Sequence, residues 1–153
     1  AGLARLDPEG KAAYEANLKV FLAELDAKLA LWRRWVTALK GMKAVSYHKD
    51  VAYLGRFTGL DFVDTIENKP GVPPTPTHLE KLAKEMKARG VTLIVREQHF
   101  DAKTCDWLAE KTGAKVAVIG IMANALPGTE TFEKFAEINL RAILKAAGKE
   151  PQR

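Results

Sequence analysis

The chain alternates short apolar runs with helical patterns, and it does so four times in the same order. The apolar runs, each the length of one buried strand, are Lys43–Tyr47, Asp61–Ile66, Val91–Arg96 and Lys115–Ile119. The helical patterns that follow them are Asp50–Thr58, Thr77–Arg89, Asp101–Thr112 and Thr129–Ala147. Strands joined through crossover helices run parallel, and the crossovers place helices on both faces of the sheet. The sequence therefore predicts an α/β fold, a three-layer α/β/α sandwich around a four-stranded parallel sheet.

A longer helical pattern precedes the first strand. Its apolar residues recur at steps of three and four from Tyr14 to Leu39, Asp7-Pro8 is a typical helix start, and Gly41 is a typical end. These signals predict one amphipathic helix about 50 Å long, which exceeds the diameter of a small domain. We therefore predict two parts, a long helix over residues 1–41 and an α/β lobe over residues 42–153.

The apolar stripe of this helix includes Trp32, Trp35 and several leucines. A helix that extends past its own domain leaves part of such a stripe uncovered, and an uncovered apolar stripe tends to find a partner. We expect these side chains to be partly exposed or covered by a second copy of the chain, so that a dimer could form through the helix.

Charge and hydropathy exclude two classes of function. The chain has 24 Lys+Arg and 19 Asp+Glu, a net charge of +5, but basic and acidic residues are interleaved along the helices and form no basic patch with exposed aromatics. No apolar run approaches the roughly 18–20 residues that span a bilayer, and the first residues lack the order of a signal peptide. We expect neither nucleic-acid binding nor a membrane span in this chain.

Motifs for catalysis are absent from the expected positions. No glycine-rich phosphate or dinucleotide motif follows the first strand, and no Gly-x-Ser-x-Gly elbow occurs. The single cysteine, Cys105, lies in a helical pattern without a histidine partner. The sequence predicts a protein that is not an enzyme.

Two potential metal ligands follow apolar runs, His48 after the first and Glu97 after the third. Ligands of open α/β sheets bind outside the carboxyl ends of the strands. Imidazole and carboxylate are donors that Zn²⁺ accepts, but two donors do not complete a tetrahedral shell. Glu67, after the second run, and His99 are the next candidates, whereas His78 is expected to face solvent. The competing interpretations are a hydrogen-bonded structural histidine at His48 and an ion pair between Glu97 and Arg96.

Several segments in order carry a resemblance to a known family. They are Ser46–Leu54, Gly59-Leu60, Ile66–Pro76, Val95–Glu97 and Ala109–Val116, with shorter pieces at Tyr14–Leu22 and at Asn139-Leu140. Together they resemble the zinc/manganese solute-binding proteins of bacterial ABC importers, the cluster A-I family. The likeness covers the long helix and the C-terminal lobe of that family only.

The resemblance implies a periplasmic or extracytoplasmic receptor that captures Zn²⁺ or Mn²⁺ and delivers it to an ABC permease. It implies that a missing N-terminal lobe supplies two histidine ligands, and that His48 is the histidine ligand of the C-terminal lobe. The family's aspartate ligand after the last strand has no counterpart, because residues 120–128 contain no carboxylate. Glu97 is our substitute for this ligand, with Glu67 and His99 behind it.

A second function is compatible with the same pattern. A small flavodoxin-like regulatory domain could bind a partner protein through the proline-rich segment Glu67–Pro76. The residues also do not separate zinc from manganese, because histidine and carboxylate donors serve both ions.

Overall fold

The computed structural model describes residues 2–152, which fall into two compact units that meet in sequence between Trp32 and Arg33. The first unit contains helix α1 (Gly2–Leu6) and most of helix α2 (Lys11–Val36). The predicted long helix is confirmed as α2, and the short α1 precedes the predicted start at Asp7. Asp7 separates the two helices, because its carboxylate accepts a hydrogen bond from the Gly10 amide at 3.1 Å and another from the Tyr14 hydroxyl at 2.7 Å. These bonds form a turn before α2.

The exposed part of the stripe on α2 is shorter than predicted. Leu18, Phe21 and Leu22 are exposed, whereas Trp32 and Trp35 are only 2% and 4% exposed. The expectation that the tryptophans are partly exposed is wrong. Trp35 is covered by a guanidinium group, that of Arg141, which lies 4.4 Å from the centre of its ring. In the described part of the chain, no helix combines the length and the apolarity needed to cross a membrane.

The second unit contains the predicted alternation of strands and helices. After a 3₁₀ turn at Thr37–Leu39, its elements are β1 (Lys43–Ser46), α3 (Ala52–Thr58), β2 (Asp61–Thr65), α4 (Pro76–Arg89), β3 (Leu93–Glu97), α5 (Ala102–Thr112), β4 (Lys115–Ile119) and α6 (Phe132–Ala146). All four strands pair in parallel, so the predicted four-stranded parallel sheet with helices on both faces is confirmed.

The strand order is β2-β1-β3-β4. The chain thus leaves β1 in one direction to form β2 and continues on the other side of β1 with β3 and β4. In doubly wound sheets the ligand crevice opens where the strand order reverses, at the carboxyl ends of the strands. Here this position lies between the ends of β1 and β3.

Two apolar layers hold the sheet. On one face, Val45 of β1 and Ile94 of β3 pack with buried residues of α4 and α5, among them Leu82, Met86 and Leu108. Because side chains alternate along a strand, Ala44, Leu93 and Val95 point to the other face, and all three are fully buried. Helix α6, which packs on β4, contributes buried Leu140, Ile143 and Leu144. Burial on both faces of the central strands β1 and β3 leaves the ends of these strands as their accessible parts.

Candidate metal centre

The register of the sheet brings three of the predicted site residues to one edge. The Glu67 amide donates to the Tyr47 carbonyl and the Tyr47 amide donates to the Val95 carbonyl, both at 2.9 Å. Sheet-like pairing therefore continues past the ends of the strands and aligns His48 with Glu67 on one side. On the other side lies Glu97, the last residue of β3.

His48 and Glu67 form a direct pair. Nδ1 of His48 contacts Oε2 of Glu67, and the other carboxylate oxygen accepts a hydrogen bond from the Gly71 amide at 2.6 Å. The Glu67 hydrogen bond raises the pKa of His48, and the His48 hydrogen bond lowers the pKa of Glu67. Nε2 of His48 makes no hydrogen bond within the described residues, and the side chain is 29% exposed. The lone pair of this nitrogen is therefore available to a metal ion when the ring is neutral.

Glu97 is in the opposite situation. It is 1% exposed, and neither carboxylate oxygen has a hydrogen-bond partner among residues 2–152. Burial, followed by the nearby carboxyl of Asp50, raises the pKa of Glu97 to about 7, while the charge of His48 acts in the other direction. Buried polar groups are normally hydrogen-bonded, and each exception calls for a physical reason. The anticipated ion pair with Arg96 is not that reason.

Arg96 instead supports the loop after β3. Its Nη1 donates to the carbonyl of Phe100 at 2.6 Å, and at longer distances to the carbonyls of Glu97 and Gln98. Within this loop the ring of Phe100 stacks on Tyr47 with centroids 4.3 Å apart, and it lies 5.9 Å from the ring of His48. The loop thus places an aromatic side chain beside His48.

Asp50 was not identified as a site residue from the sequence, although its position near a strand end indicated one. It follows the first strand two residues after His48, and its charge acts on both His48 and Glu97. A third carboxylate, which is exposed, thus lies close to the candidate site.

The remaining histidines lie elsewhere. His99 is exposed, and its ring lies 4.2 Å from that of Phe100. His78 is half-buried, with Nε2 at 3.1 Å from the Ile66 carbonyl. The expectation that His78 faces solvent is wrong, because Thr75 rather than Thr77 caps α4 and the helix begins at Pro76.

The loop after β4 is held by a buried amide that sequence reasoning did not single out. Asn139 on α6 accepts from the Gly120 amide at 2.8 Å and donates to the Gly120 carbonyl at 3.0 Å. Thr129, fully buried, bonds both the amide and the carbonyl of Leu126. The loop after β4, which contains no carboxylate, is therefore held in place by hydrogen bonds within the chain.

The described residues do not form a complete metal shell. Among residues 2–152, no three His, Cys, Asp or Glu side chains converge closely enough to hold an ion. His48 offers one nitrogen and Glu97 offers uncompensated oxygens, which are the donor types that Zn²⁺ and Mn²⁺ accept. Chemically, this edge can contribute part of a site.

The chain is similar in sequence to known zinc-uptake proteins. The family model for the periplasmic zinc-uptake complex component A, ZnuA, matches residues 1–146. The high-affinity zinc uptake system protein ZnuA of Bacillus subtilis is 28% identical over 145 residues, covering 95% of this chain and 44% of the relative. That of Brucella abortus is 27% identical over 120 residues, covering 76% and 35%.

Solved structures give the same result for the fold. A crystal structure of ZnuA superposes with a TM-score of 0.73 at 27% identity, covering 95% of this chain and 53% of that one. The SBP FpvC from Pseudomonas aeruginosa, in complex with Mn²⁺, has a TM-score of 0.72 at 23% identity, covering 95% and 57%, which is a likeness in fold alone.

The chain spans less than half the length of the curated relatives that it matches. The flavodoxin-like regulatory interpretation is not favoured by these matches. The extent of the family match, from residue 1 to residue 146, shows that this chain belongs to the periplasmic zinc-uptake complex component A family.

Proposed function

We propose that this chain is the C-terminal lobe, with the interlobe helix, of a periplasmic or extracytoplasmic receptor that captures Zn²⁺ or Mn²⁺ and delivers it to an ABC permease. In this proposal residues 1–41 are the interlobe helix and residues 42–153 the lobe. The chemistry is coordination and release of an ion, without catalysis. An N-terminal lobe, preceding this chain in a longer protein, supplies further ligands.

The observation that carries the proposal is the state of Glu97. The Glu97 side chain is buried at the end of β3, neither of its oxygens has a hydrogen-bond partner of ordinary geometry among the described residues, and the neighbouring Asp50 carboxyl raises its pKa further. Burying a carboxylate without partners costs free energy, and a bound divalent cation would offset that cost. We assign His48 and Glu97 as ligands and rank Glu67 and His99 below them.

The apolar face of α2 has a place in the same proposal. Leu18, Phe21 and Leu22 are exposed on it, and contiguous exposed apolar side chains mark interaction surfaces. We propose that the N-terminal lobe covers this face in the longer protein. In the isolated chain, a second copy would associate through it.

Calorimetry of Zn²⁺ binding to the longer protein tests the ligand assignment. His48→Ala should lower the affinity at least tenfold, because a coordination bond is lost from a shell of about four ligands. Glu97→Gln keeps the size of the side chain while removing its charge, and should also weaken binding. Glu80→Gln, at an exposed position of α4, is the matched control and should bind as the wild type does.

The outcomes separate the assignments. Unchanged affinity in His48→Ala would show that the site is wrongly placed. If His48→Ala weakens binding and Glu97→Gln does not, the fourth ligand lies elsewhere.

A further inference from the structure

Both carboxylate oxygens of Glu67 are already engaged by hydrogen bonds, in contrast to those of Glu97. Oε2 of Glu67 contacts Nδ1 of His48, and Oε1 accepts the Gly71 amide at 2.6 Å. The Thr65 hydroxyl donates to the Glu67 backbone carbonyl at 2.9 Å, which fixes the residue further. The carboxylate is nearly buried. An ion at this carboxylate would have to share its lone pairs with these two hydrogen bonds.

The contact with Glu67 determines which nitrogen of His48 is free. A carboxylate only accepts hydrogen bonds, so Nδ1 carries the proton and the lone pair of the neutral ring is on Nε2. Histidine ligands in proteins commonly donate the second ring N–H to a carboxylate, which fixes the tautomer and the orientation of the ring. In this tautomer Nε2 of His48 is the nitrogen with a free lone pair.

The Glu67 carboxylate also connects His48 to the proline-rich segment. Gly71 has φ +75°, a conformation that favours glycine, and it lies in a tight turn in which the Val72 amide donates to the Lys69 carbonyl at 3.0 Å. This turn presents the Gly71 amide to Glu67. The conformation of the segment thus holds the carboxylate, and the carboxylate holds the imidazole.

We propose that Glu67 is a positioning residue for the metal ligand His48 and not a ligand itself, with Gly71 as its anchor. The inference rests on the proposed function of His48. Glu67, which the sequence suggested as a reserve ligand, is thereby reassigned to positioning His48. The proline-rich segment likewise has a role inside the molecule, as the support of a ligand.

Nitrogen-detected NMR of this chain, free of metal, tests the tautomer directly. At about pH 9, well above the ordinary pKa of histidine, His48 should be protonated at Nδ1 in the wild type. Glu67→Leu should shift the ring to a mixture of tautomers, because Nδ1 has lost its acceptor. Glu67→Gln retains one acceptor oxygen and should keep the wild-type tautomer. An unchanged tautomer in Glu67→Leu would overturn the proposal.

Zinc affinity of the longer protein supplies the second readout. If Glu67 positions His48, Glu67→Leu should weaken binding by roughly 10–100-fold and Glu67→Gln by much less. If Glu67 is itself a ligand, both variants should lose affinity as severely as His48→Ala. Equal losses in Leu and Gln variants, or no loss in either, would overturn the positioning role. If no variant loses zinc affinity, not even His48→Ala, the proposed function itself is refuted.

Discussion

Glu67 and Glu97 are two buried carboxylates at the carboxyl end of the sheet, on either side of β1, and their surroundings differ completely. At the end of β2, Glu67 bonds to His48 and to the Gly71 amide. At the end of β3, both oxygens of Glu97 lack a partner among the described residues, as do Nε of Arg96 and Oε1 of Gln98. The carboxylate that follows β2 is hydrogen-bonded within the chain, whereas the carboxylate at the end of β3 has no hydrogen-bond partner among the described residues.

The difference indicates a division of roles. A satisfied carboxylate rigidifies its neighbours, so Glu67 is suited to orient His48. An uncompensated carboxylate destabilises the metal-free fold, and proteins keep such groups where an external partner satisfies them. On this account the lobe gives up stability in the free state at Glu97 for affinity in the bound state.

The largest expected effect is the pH dependence of stability contributed by Glu97. Its pKa in the folded chain is about 7, above the ordinary value of 4.5, so the folded state binds the proton more tightly and stability falls as pH rises from about 4.5 to 7. Between pH 4.5 and 8, the wild type should lose up to about 3 kcal/mol relative to Glu97→Gln. Urea denaturation of the metal-free chain at both pH values measures this change.

Glu67→Gln is the matched substitution at the satisfied strand end. His48 lowers the pKa of Glu67 in the folded chain. Folding therefore favours the ionised carboxylate, and the stability that it contributes is fully present above the ordinary pKa of glutamate. Glu67→Gln should therefore destabilise the chain at neutral pH. If the two Gln variants change stability in the same direction at pH 8, the contrast between the strand ends is wrong.

Asn139→Ala extends the comparison to the end of β4, with a smaller effect. The substitution leaves the amide and carbonyl of Gly120 without the buried partner that bonds both of them. The cost should be about 1–3 kcal/mol in free energy of unfolding. Asn17→Ala, on the exposed surface of α2, is the control and should change stability little. A cost below about 0.5 kcal/mol for Asn139→Ala would mean that water replaces the amide at this strand end.

His99→Ala should have the smallest effect. The side chain is exposed and its ring contacts Phe100, so stability should change by no more than about 0.5 kcal/mol. Zinc affinity of the longer protein should stay within about twofold of the wild type, an energy difference below about 0.5 kcal/mol. A tenfold loss of affinity would move His99 into the ligand shell.

The periodicity of the sequence was sufficient to predict the sheet and the end of it at which His48, Glu67 and Glu97 lie. Four apolar runs separated by helical patterns admit few topologies, and parallel strands bring His48, Glu67 and Glu97 to one edge whichever order they take. The pairing of His48 with Glu67 was not predictable, because it depends on β1 and β2 being neighbours. The Asn139 clamp likewise joins residues 19 positions apart.

The errors in prediction have similar causes. Burial of Trp35 depends on Arg141 of α6, a contact that no local pattern encodes. His78 was expected to face solvent because the helix was predicted to begin at Thr77, whereas Thr75 caps it and it begins at Pro76. Local patterns established the elements, whereas long-range contacts decided which polar groups are satisfied.

A zinc-bound crystal structure of the longer protein, with anomalous diffraction at the zinc edge, tests the central claim most directly. We predict a single strong peak at about 2.0–2.1 Å from Nε2 of His48, with Glu97 facing the ion and Nδ1 of His48 still bound to Glu67. A peak away from the crevice between β1 and β3, or one coordinated by Glu67 in place of His48, would contradict the account.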